Sequence, residues 1–552
     1  MKVLIVSLSS QYIHSSLAPW YLLASCKENC NAEIDVKVIE GTVNENYQAL
    51  LKRITYEKAD VIAFSVYIWN VKTVLFLAEK LKTDNVKVIF GGPEVSYCSD
   101  KILSENQFVD FIISGEGEEP FPTLLNAINK NNDYKCIKGI SYRDNKKIVL
   151  SQPYVSQNVP ISPYGDEYFS SLKGRIAYIE TSRGCPFSCA FCLSGRCGGV
   201  RYFPLERAKN DIIALANSKS KIIKFVDRTF NANRKRAYEI FGFIIENYGK
   251  SIPNNVCFHF EIGGDLLTDK DFELLEKAPK GAIQFEIGLQ SFNTKTLNAI
   301  NRKTNVKKLK ENISKLIKLK NIHIHIDLIA GLPYEDLKTF RESFNTAFIL
   351  NADMLQLGFL KLLHGASMRE EPERFPLEFS SEPPYEVIET PWLTASNIKM
   401  LKDCENALER FVNSGRFPLT NKLVFEVQKR NPFDTLTELG KFTGNDSCSL
   451  NEYINRVYSF FSVGCDINEL RDALICDLAS SVKSTVLPTS LIVNDKRLSK
   501  FKKSLEVNES TKKKTGVMRS AFLLYGEGCG AYVDYDRTEN GKFIINKIKF
   551  EL

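Results

Sequence analysis

The chain has 552 residues and a net charge of +7, and 44% of its residues are hydrophobic and 25% charged. This is the balance of an ordinary globular protein, and the length allows about three domains. No segment approaches the roughly 18 consecutive apolar residues of a membrane span, and 14 cysteines are too few for a disulfide-dense scaffold. The lysines are scattered, which disfavours a nucleic-acid groove. We therefore expect a protein of the reducing cytoplasm, with neither a membrane nor nucleic acid among its partners.

Residues 1–150 alternate short apolar runs with helical stretches. The runs are KVLIVSL, IDVKVIE, ADVIAFSV, KVIFGG and DFIISG. Continuous runs rich in Val and Ile, separated by helices, are typical of buried parallel strands. The pattern predicts a doubly wound, Rossmann-like parallel sheet, so the fold class begins as α/β. Such sheets bind ligands outside the carboxyl ends of their strands.

The loops after these strands carry glycine, acidic and aromatic residues. Glycine lets the backbone approach a bulky ligand closely. Neither GxGxxG nor GxxxxGK[ST] is present, so the loops favour neither a dinucleotide nor a P-loop nucleotide. The candidate ligand-binding residues are Tyr12, Ser15, Tyr67, Trp69, Gly91, Gly92, Pro93, Glu94, Gly115, Glu116, Gly117 and Glu118.

Residues 151–174 are predicted to be a linker, and residues 175–363 form a second alternating series. The linker contains Pro153, Pro160 and Pro163. Six strand candidates follow: RIAYIE, KIIKFVD, NVCFHFEI, AIQFEIGL, IHIHIDLI and DMLQLGFLKLL. Helical stretches separate them, so the series predicts six βα units.

Three cysteines follow the first strand of this second series. Cys185, Cys189 and Cys192 stand in TSRGCPFSCAFCLSG with the spacing Cx3Cx2C. Three thiolates so spaced can ligate three irons of one cubane cluster and leave the fourth iron open to a substrate or cofactor. Structural zinc with Cys197 as a fourth ligand, or free thiols, are the less favoured alternatives. The open iron is the main reason to expect an enzyme.

This spacing, with Phe191 beside the last cysteine and a strand before the first, resembles the radical S-adenosylmethionine (SAM) enzymes. The resemblance implies a [4Fe–4S] cluster whose open iron chelates SAM, and an external one-electron reductant such as flavodoxin or ferredoxin. Reduction would then release a 5′-deoxyadenosyl radical. The six βα units resemble that family's partial (β/α)6 TIM-type barrel, with its site at the carboxyl ends of the strands. The residues that the resemblance places near SAM are Phe191, Asp227, Glu261, Glu286, Gln290 and Ser291.

Polar residues alternate with apolar ones in two strands of this series. Strand side chains alternate faces, so His259 and Glu261 share one face, and His323, His325 and Asp327 share another that points into the barrel. Inward polar groups are costly unless they are paired or used. A second zinc or iron site at His323, His325 and Asp327 is a minor alternative to satisfied core residues.

The N-terminal loops resemble those of the cobalamin-binding domain that precedes many radical SAM cores. The closest matches are the segments GGPEVS and SGEGEEPF. The resemblance implies a bound cobalamin whose nucleotide tail lies in these loops. The Asp-x-His-x-x-Gly motif is absent, so it also implies no protein histidine on cobalt, with Tyr12, Tyr67 and Trp69 covering the lower corrin face. A flavodoxin-like sheet without a ligand is the alternative.

Residues 364–552 lose the alternating pattern and predict a C-terminal α+β extension. Helical stretches are followed by a β-rich end, whose Tyr-Gly-Glu-Gly and Glu-Asn-Gly segments suit hairpins. The region resembles the extension of a cobalamin-dependent radical subfamily that lacks an assigned activity. Cys448, Cys465, Cys476 and Cys529 lack CxxC pairing and are interpreted as buried hydrophobic residues rather than an auxiliary cluster.

The combined resemblance implies transfer of a methyl group to an unactivated carbon of an unknown small molecule or peptide. One alternative is a rearrangement or cyclisation with the same cofactors. A second is a tRNA methylthiotransferase-like activity, against which Cys26, Cys30 and Cys98 lack the spacing of a second triad. A third is a cobalamin- or cluster-binding sensor without turnover.

Overall fold

The computed structural model describes residues 1–145, 147–483, 486–505, 520–539 and 541–550. The chain divides into two compact units. The first comprises Met1–Asp336, Leu350–Ala352 and Phe359–Thr394, and the second comprises Leu337–Ile349, Asp353–Gly358 and Ala395–Leu552. Within the described residues, none of the helices has both the length and the apolar character needed to cross a bilayer.

The first unit begins with a seven-stranded sheet in the order β2-β1-β3-β4-β5-β6-β7. Its strands are β1 Lys2–Ser9, β2 Asp35–Thr42, β3 Val61–Ser65, β4 Lys87–Gly91, β5 Phe111–Ile113, β6 Ile140–Asp144 and β7 Lys147–Val149. The pairs from β2 to β5 are parallel, and β6 and β7 add antiparallel strands at one side. The predicted doubly wound sheet is therefore confirmed.

Helices and buried strands alternate through this sheet as the apolar runs predict. The helices are α1 Ala18–Asn29, α2 Tyr47–Tyr56, α3 Val71–Leu81, α4 Pro93–Ser96, α5 Ser99–Glu105 and α6 Pro120–Lys130. The centre of β1 is buried on both faces, whereas β2 at the sheet edge is partly exposed. The register pairs Ser7 with Ser65 and Ser65 with Gly91, so β3 and β4 end at one level and β1 continues for two more residues.

A second parallel sheet follows in the same unit. After α7 Asp166–Ser171, its strands are β8 Ala177–Ile179, β11 Ile222–Phe225, β12 Cys257–Glu261, β13 Ile283–Gln290 and β14 His323–Ala330, paired in chain order. A short antiparallel pair, β9 Ser182–Gly184 and β10 Val200–Tyr202, flanks the cysteine segment. The helices are α8 Leu205–Ala216, α9 Arg234–Asn247, α10 Asp269–Leu275, α11 Thr294–Ala299 and α12 Val306–Leu319. The series continues with α13 Leu337–Ile349 and the sixth strand, β15 Met354–Phe359, as the partial (β/α)6 barrel predicts.

Period-two alternation divides these strands into an aromatic face and a polar face. Phe258, Phe260 and Phe285 are fully buried, and Phe260 stacks on Phe225 with ring centroids 4.3 Å apart. The opposite face of β12 carries His259 and Glu261, which lie level with Gln284 and Glu286 of β13. The apolar faces hold the strands and helices together, so the polar face is available for a site.

The first unit ends with a segment after the barrel, Phe359–Thr394. It contains α14 Ser367–Glu370 and the antiparallel strands β16 Glu378–Phe379 and β17 Val387–Glu389. Its two ends are joined by backbone hydrogen bonds from Leu362 N to Tyr385 O at 3.0 Å and from Val387 N to Leu360 O at 2.9 Å. We call Phe359–Thr394 the post-barrel segment.

The second unit is mostly helical and ends in a small sheet. Its remaining helices are α15 Ala395–Ala407, α16 Pro418–Asn421, α17 Pro432–Thr443, α18 Leu450–Phe461, α19 Ile467–Ser481 and α20 Lys496–Ser504, and its strands are β18 Phe522–Leu524, β19 Cys529–Glu539 and β20 Lys542–Lys549. The sheet is antiparallel, which confirms the α+β extension. The predicted Glu-Asn-Gly turn includes Asn540, which lies outside the described residues.

Candidate functional site

A cavity of about 980 Å³ opens in the first unit, at the carboxyl ends of both parallel sheets. Its volume is at the upper end of the roughly 300–1,000 Å³ typical of small-molecule sites. Loops after β1, β3, β4 and β5 form one wall, and the barrel forms the other. The predicted residues in its lining are Ser15, Tyr67, Trp69, Gly91, Gly92, Pro93, Gly115, Glu116, Gly117, Glu118 and Glu261.

Two of the lining glycines are required by the backbone. Gly92 has φ +112°, and a Cβ there would lie 2.5 Å from Val66 O. Gly115 has φ +85°, and a Cβ there would overlap the backbone of Tyr154. Both loops can therefore pass close to neighbouring chain only without a side chain.

The predicted aromatic cover divides into two parts. Tyr67 stacks on Trp69 with ring centroids 4.4 Å apart, and Trp69 Nε1 donates a 3.0 Å hydrogen bond to Leu8 O, so this pair is fixed at the cavity wall. Tyr12 does not line the cavity. Its hydroxyl donates to Lys173 O at 3.2 Å, and the Arg175 guanidinium lies over its ring.

Three of the predicted acidic residues are held by partners within the first unit. Arg183 lies 3.1 Å from Glu116 and 2.8 Å from Glu118, and Arg201 also pairs with Glu116. Glu94 is buried outside the cavity lining and accepts a hydrogen bond from the Tyr385 hydroxyl. The ion pairs and hydrogen bond of these carboxylates thus hold the loops after β4 and β5 in place.

The three cysteines of the predicted cluster lie on one loop after β8. Cys185 Sγ is 3.6 Å from Thr229 Oγ1, Ser194 N donates to Cys192 Sγ at 3.4 Å, and Arg302 Nη1 is 4.0 Å from Cys189 Sγ. Burial raises the pKa of Cys189, and the Arg302 guanidinium partly opposes this rise.

The arrangement of the three thiols is compatible with a cluster, whose ligands bind separate irons. Among the described residues, no three His, Cys, Asp or Glu side chains converge on a point that one metal ion could occupy. A cubane takes each thiolate on a different iron, so its ligands need not converge on one point. Cys197 ends the turn Ser194–Cys197, and its side chain lies outside the described part. Phe191 is half-buried beside the triad and does not line the cavity.

Four other described thiols are buried and have a raised pKa. Cys98, Cys404 and Cys476 are buried, and desolvation raises the pKa of each to about 12. Cys26 is also buried and has a raised pKa, to which its contact with Cys30 contributes most. Only Cys136 of the described cysteines is exposed, but Cys448, Cys465 and Cys529, which the sequence predicts to be buried, are only half-buried.

A charged network covers the polar face of the barrel. Lys224 Nζ lies 2.9 Å from Glu286 Oε2 and 3.7 Å from Glu261 Oε1, and Arg228 Nη1 lies 3.5 Å from Glu261 Oε2. Burial opposes ionisation of Glu286, but contacts with His259 and Lys224 outweigh it and lower its pKa to about 2. Burial raises the pKa of Glu261 despite the cation of Arg228.

Sequence reasoning missed four cations of this site, one of which, Arg196, lies on the cysteine loop. Lys224 and Arg228 line the cavity with Glu261, and Arg183 lines it beside the cysteine loop. Lys224 is a single cation in the apolar strand KIIKFVD, and that isolated charge could have identified it. His323 is exposed at the start of β14, whereas His325 Nε2 lies 3.0 Å from Asp327 Oδ1 inside the barrel.

Three further candidates lie outside the cavity lining. Asp227 accepts hydrogen bonds from Thr181 N at 2.9 Å and Thr181 Oγ1 at 2.7 Å, and burial raises its pKa to about 6. Ser291 Oγ donates to Glu335 at 2.5 Å. Gln290 has φ +67°, and its Oε1 is buried with no hydrogen-bond partner among the described residues.

Comparison with known families assigns these regions. Residues 179–347 match the radical SAM superfamily, residues 3–125 match the B12 binding domain, and residues 373–521 match a protein family of unknown function, DUF4080. The chain thus contains a radical SAM region and a B12 binding region. The sequence-based assignment of a [4Fe–4S] cluster, SAM and cobalamin as cofactors is thereby confirmed.

Individual curated proteins are similar in sequence to part of this chain. It is 31% identical over 234 residues to an uncharacterized methyltransferase of Pyrococcus horikoshii, covering 40% of this chain and 50% of the relative. It is 28% identical over 312 residues to the cobalamin-dependent radical SAM methyltransferase TokK of Streptomyces tokunonensis, covering 52% and 44%. The chain thus spans about half the length of these curated relatives.

A solved structure shares the fold over most of the chain. The cobalamin-dependent S-adenosylmethionine radical enzyme OxsB, with aqua-cobalamin bound, superposes with a TM-score of 0.62 at 14% identity. The match covers 86% of this chain and 78% of OxsB. It therefore supports the fold of the sheet and barrel together.

The residues present fit the cofactors that these domains take. Cys185, Cys189 and Cys192 supply the thiol donors that an iron–sulfur cluster requires. Gly92 and Gly115 line the cavity, and the absence of a side chain there lets their loops pack against Val66 and Tyr154. Glu261 lines the cavity, and its carboxylate oxygens can accept hydrogen bonds from ligand hydroxyls.

Proposed function

We propose that this protein is a cobalamin-dependent radical SAM enzyme that transfers a methyl group to an unactivated carbon of a small molecule or peptide. One observation carries the proposal. A single cavity is lined both by the glycine loops of the B12-binding sheet and by the barrel and cysteine loop, including Ser194 and Arg196. The methyltransferase names of the two curated relatives support it.

The chain's own residues provide binding, orientation and exclusion of water. Cys185, Cys189 and Cys192 would hold the cluster, and the loops that contain Gly92 and Gly115 would line the pocket for the corrin's nucleotide tail. The bound cofactors would supply one-electron cleavage of SAM, giving a 5′-deoxyadenosyl radical, and a transferable methyl group.

The polar face of the barrel would orient SAM. Glu261 is the charged residue best placed to accept hydrogen bonds from ribose hydroxyls, because it lines the cavity and Arg228 and Lys224 hold its carboxylate. Gln290 has a buried acceptor without a partner among the described residues. The apolar walls at Ile5 and Ile89 keep water away from a reactive intermediate.

Anaerobic reconstitution of the full chain with iron, sulfide and hydroxocobalamin tests the proposal. We expect about four irons and about one corrin per chain. With a reductant and SAM carrying a CD3 group, both 5′-deoxyadenosine and S-adenosylhomocysteine should form in the presence of substrate. A metabolite extract should then contain a product heavier by one labelled methyl group.

The rival functions give different outcomes. Formation of 5′-deoxyadenosine without S-adenosylhomocysteine or label transfer would indicate a rearrangement or cyclisation. Cofactor binding without 5′-deoxyadenosine would indicate a sensor. Flavodoxin or ferredoxin is the reductant class that we propose, and a reducing cytoplasm would protect an oxygen-labile cluster.

A further inference from the structure

The post-barrel segment contacts the loop after β4 at two points. The Tyr385 hydroxyl donates to a carboxylate oxygen of Glu94, and both side chains are 6% exposed. Gly365 has φ +86°, and a Cβ there would overlap the ring of Tyr97, which lines the cavity. This segment therefore backs Gly91–Tyr97, which forms one wall of the cavity.

The same segment contacts the cysteine loop at two other points. Met368 N donates a 3.0 Å hydrogen bond to the carbonyl of Ala190, which stands between Cys189 and Cys192. Glu370 pairs with Arg196, another residue of the cavity lining. One short stretch of chain thus touches the loops on both sides of the cavity.

The contact at Glu94 is built rather than incidental. Arg369 lies over the Tyr385 ring at 4.6 Å and donates to Leu362 O at 2.6 Å, which fixes the ring beside Glu94. His364 packs edge-on against the same ring, with centroids 5.1 Å apart. A buried carboxylate costs free energy unless it is paired, so Glu94 and Tyr385 hold each other in place.

We propose that the post-barrel segment is a brace that fixes the Gly91–Tyr97 loop relative to the Cys185–Arg196 loop, with Tyr385 as its positioning residue. The purpose of this brace rests on the proposed function, because methyl transfer requires the corrin and the cluster at a set separation. The brace overlaps the start of the DUF4080 match at residue 373 and gives that part of the family a structural role.

Hydrogen exchange of the cofactor-free full chain tests the brace without any cofactor. Tyr385→Phe removes one hydroxyl and should speed amide exchange in Gly91–Tyr97 and in Ala190–Cys192 by about five- to tenfold. Tyr248→Phe is the matched control, because the Tyr248 hydroxyl donates to Val256 O at 3.0 Å elsewhere in the first unit. Unchanged exchange in Tyr385→Phe, or a change confined to Gly91–Tyr97, would overturn the brace.

Variants of Glu94 separate the hydrogen bond from general destabilisation. Glu94→Gln retains an acceptor and should behave like the wild type, whereas Glu94→Leu should reproduce the effect of Tyr385→Phe. Combining Glu94→Leu with Tyr385→Phe should speed amide exchange little further, because both changes remove the same interaction. If the effects of the two single changes on amide exchange add fully in the double variant, the proposal is contradicted.

Cobalamin titration of the same variants links the brace to the site. Tyr385→Phe should weaken corrin binding by about five- to tenfold, because the same hydrogen bond is lost. If the wild type binds no corrin, the proposed function fails while the exchange experiment still decides the brace.

Discussion

Arg183 Nη2 lies 2.8 Å from Glu118 Oε1, which joins the strand before the cysteine loop to the loop after β5. Glu116 and Glu180 complete the surroundings of this guanidinium, at 3.1 Å and 2.8 Å, and the ring of Tyr21 lies beneath it. The carboxylates raise the pKa of Arg183 against the opposing effect of burial. Ion pairs therefore connect the strand before the cysteine loop to the loop after β5. The post-barrel segment separately connects the cysteine loop to the loop after β4.

Replacing Arg183 should destabilise the first unit strongly. Arg183→Met leaves three nearly buried carboxylates without their shared cation, and we expect a loss of about 3–5 kcal/mol in the free energy of unfolding. Chemical denaturation measures this loss. Lys27→Ala is the control, since the Lys27–Glu167 pair is more than half exposed and should contribute less than about 1 kcal/mol. Equal losses in the two variants would contradict this account.

Replacing one cysteine of the triad should remove the cluster alone. Cys189→Ala should abolish iron and sulfide incorporation and leave corrin uptake unchanged, because Cys189 does not line the cavity. Metal analysis and visible absorption measure the two cofactors separately. Cys136→Ala, which changes an exposed thiol, should retain both. A normal iron content in Cys189→Ala would rule out the assigned ligand set.

Adding a methyl group at Gly92 should disrupt the loop after β4. Gly92→Ala introduces a Cβ against Val66 O at a φ of +112°, so we expect a loss of about 1–3 kcal/mol and weaker corrin uptake. Gly242 in α9 has open space around its Cα, and Gly242→Ala should instead stabilise the chain by about 0.5–1 kcal/mol. Thermal unfolding distinguishes the two, and a stabilised Gly92→Ala would contradict the assigned strain.

The contribution of Glu286 to stability should depend on pH. Its pKa falls from 4.5 to about 2 in the folded chain. The stabilisation is therefore complete above pH 4.5 and is lost as the pH falls toward 2, a difference of about 3 kcal/mol. The difference in free energy of unfolding between the wild type and Glu286→Gln should thus narrow between pH 5 and pH 3 and disappear only near pH 2. A gap that stays constant over this range would show that Glu286 makes no such contribution.

The sequence predicts the fold well because its signals are local. The Val- and Ile-rich runs become β1, β3 and β4, which are buried on both faces, and the cysteine spacing is read directly from the chain. Gly92 and Gly115 are also local signals, because each has a positive φ, a conformation that favours glycine.

The side-chain partners of the site could not be predicted in the same way. Tyr385 and Glu94 are 291 residues apart in the chain, and no local pattern brings them together. Glu116 and Glu118 have the same appearance in a sequence whether they face a ligand or an arginine 67 or 65 residues later. Long-range ion pairs are decided by tertiary packing, so the sequence could not show that Glu116 and Glu118 pair with Arg183 while they line the cavity.

The protonated state of the buried thiols has a practical consequence for counting metal. Iron added in excess binds adventitiously to accessible thiolates, but Cys98, Cys404 and Cys476 are shielded and hold their protons. Cys30 is only half-buried, and its contact with Cys26 lowers its pKa, so the parent protein should carry both Cys30→Ala and Cys136→Ala. After desalting removes excess metal, the iron stoichiometry of this parent should report mainly on the triad.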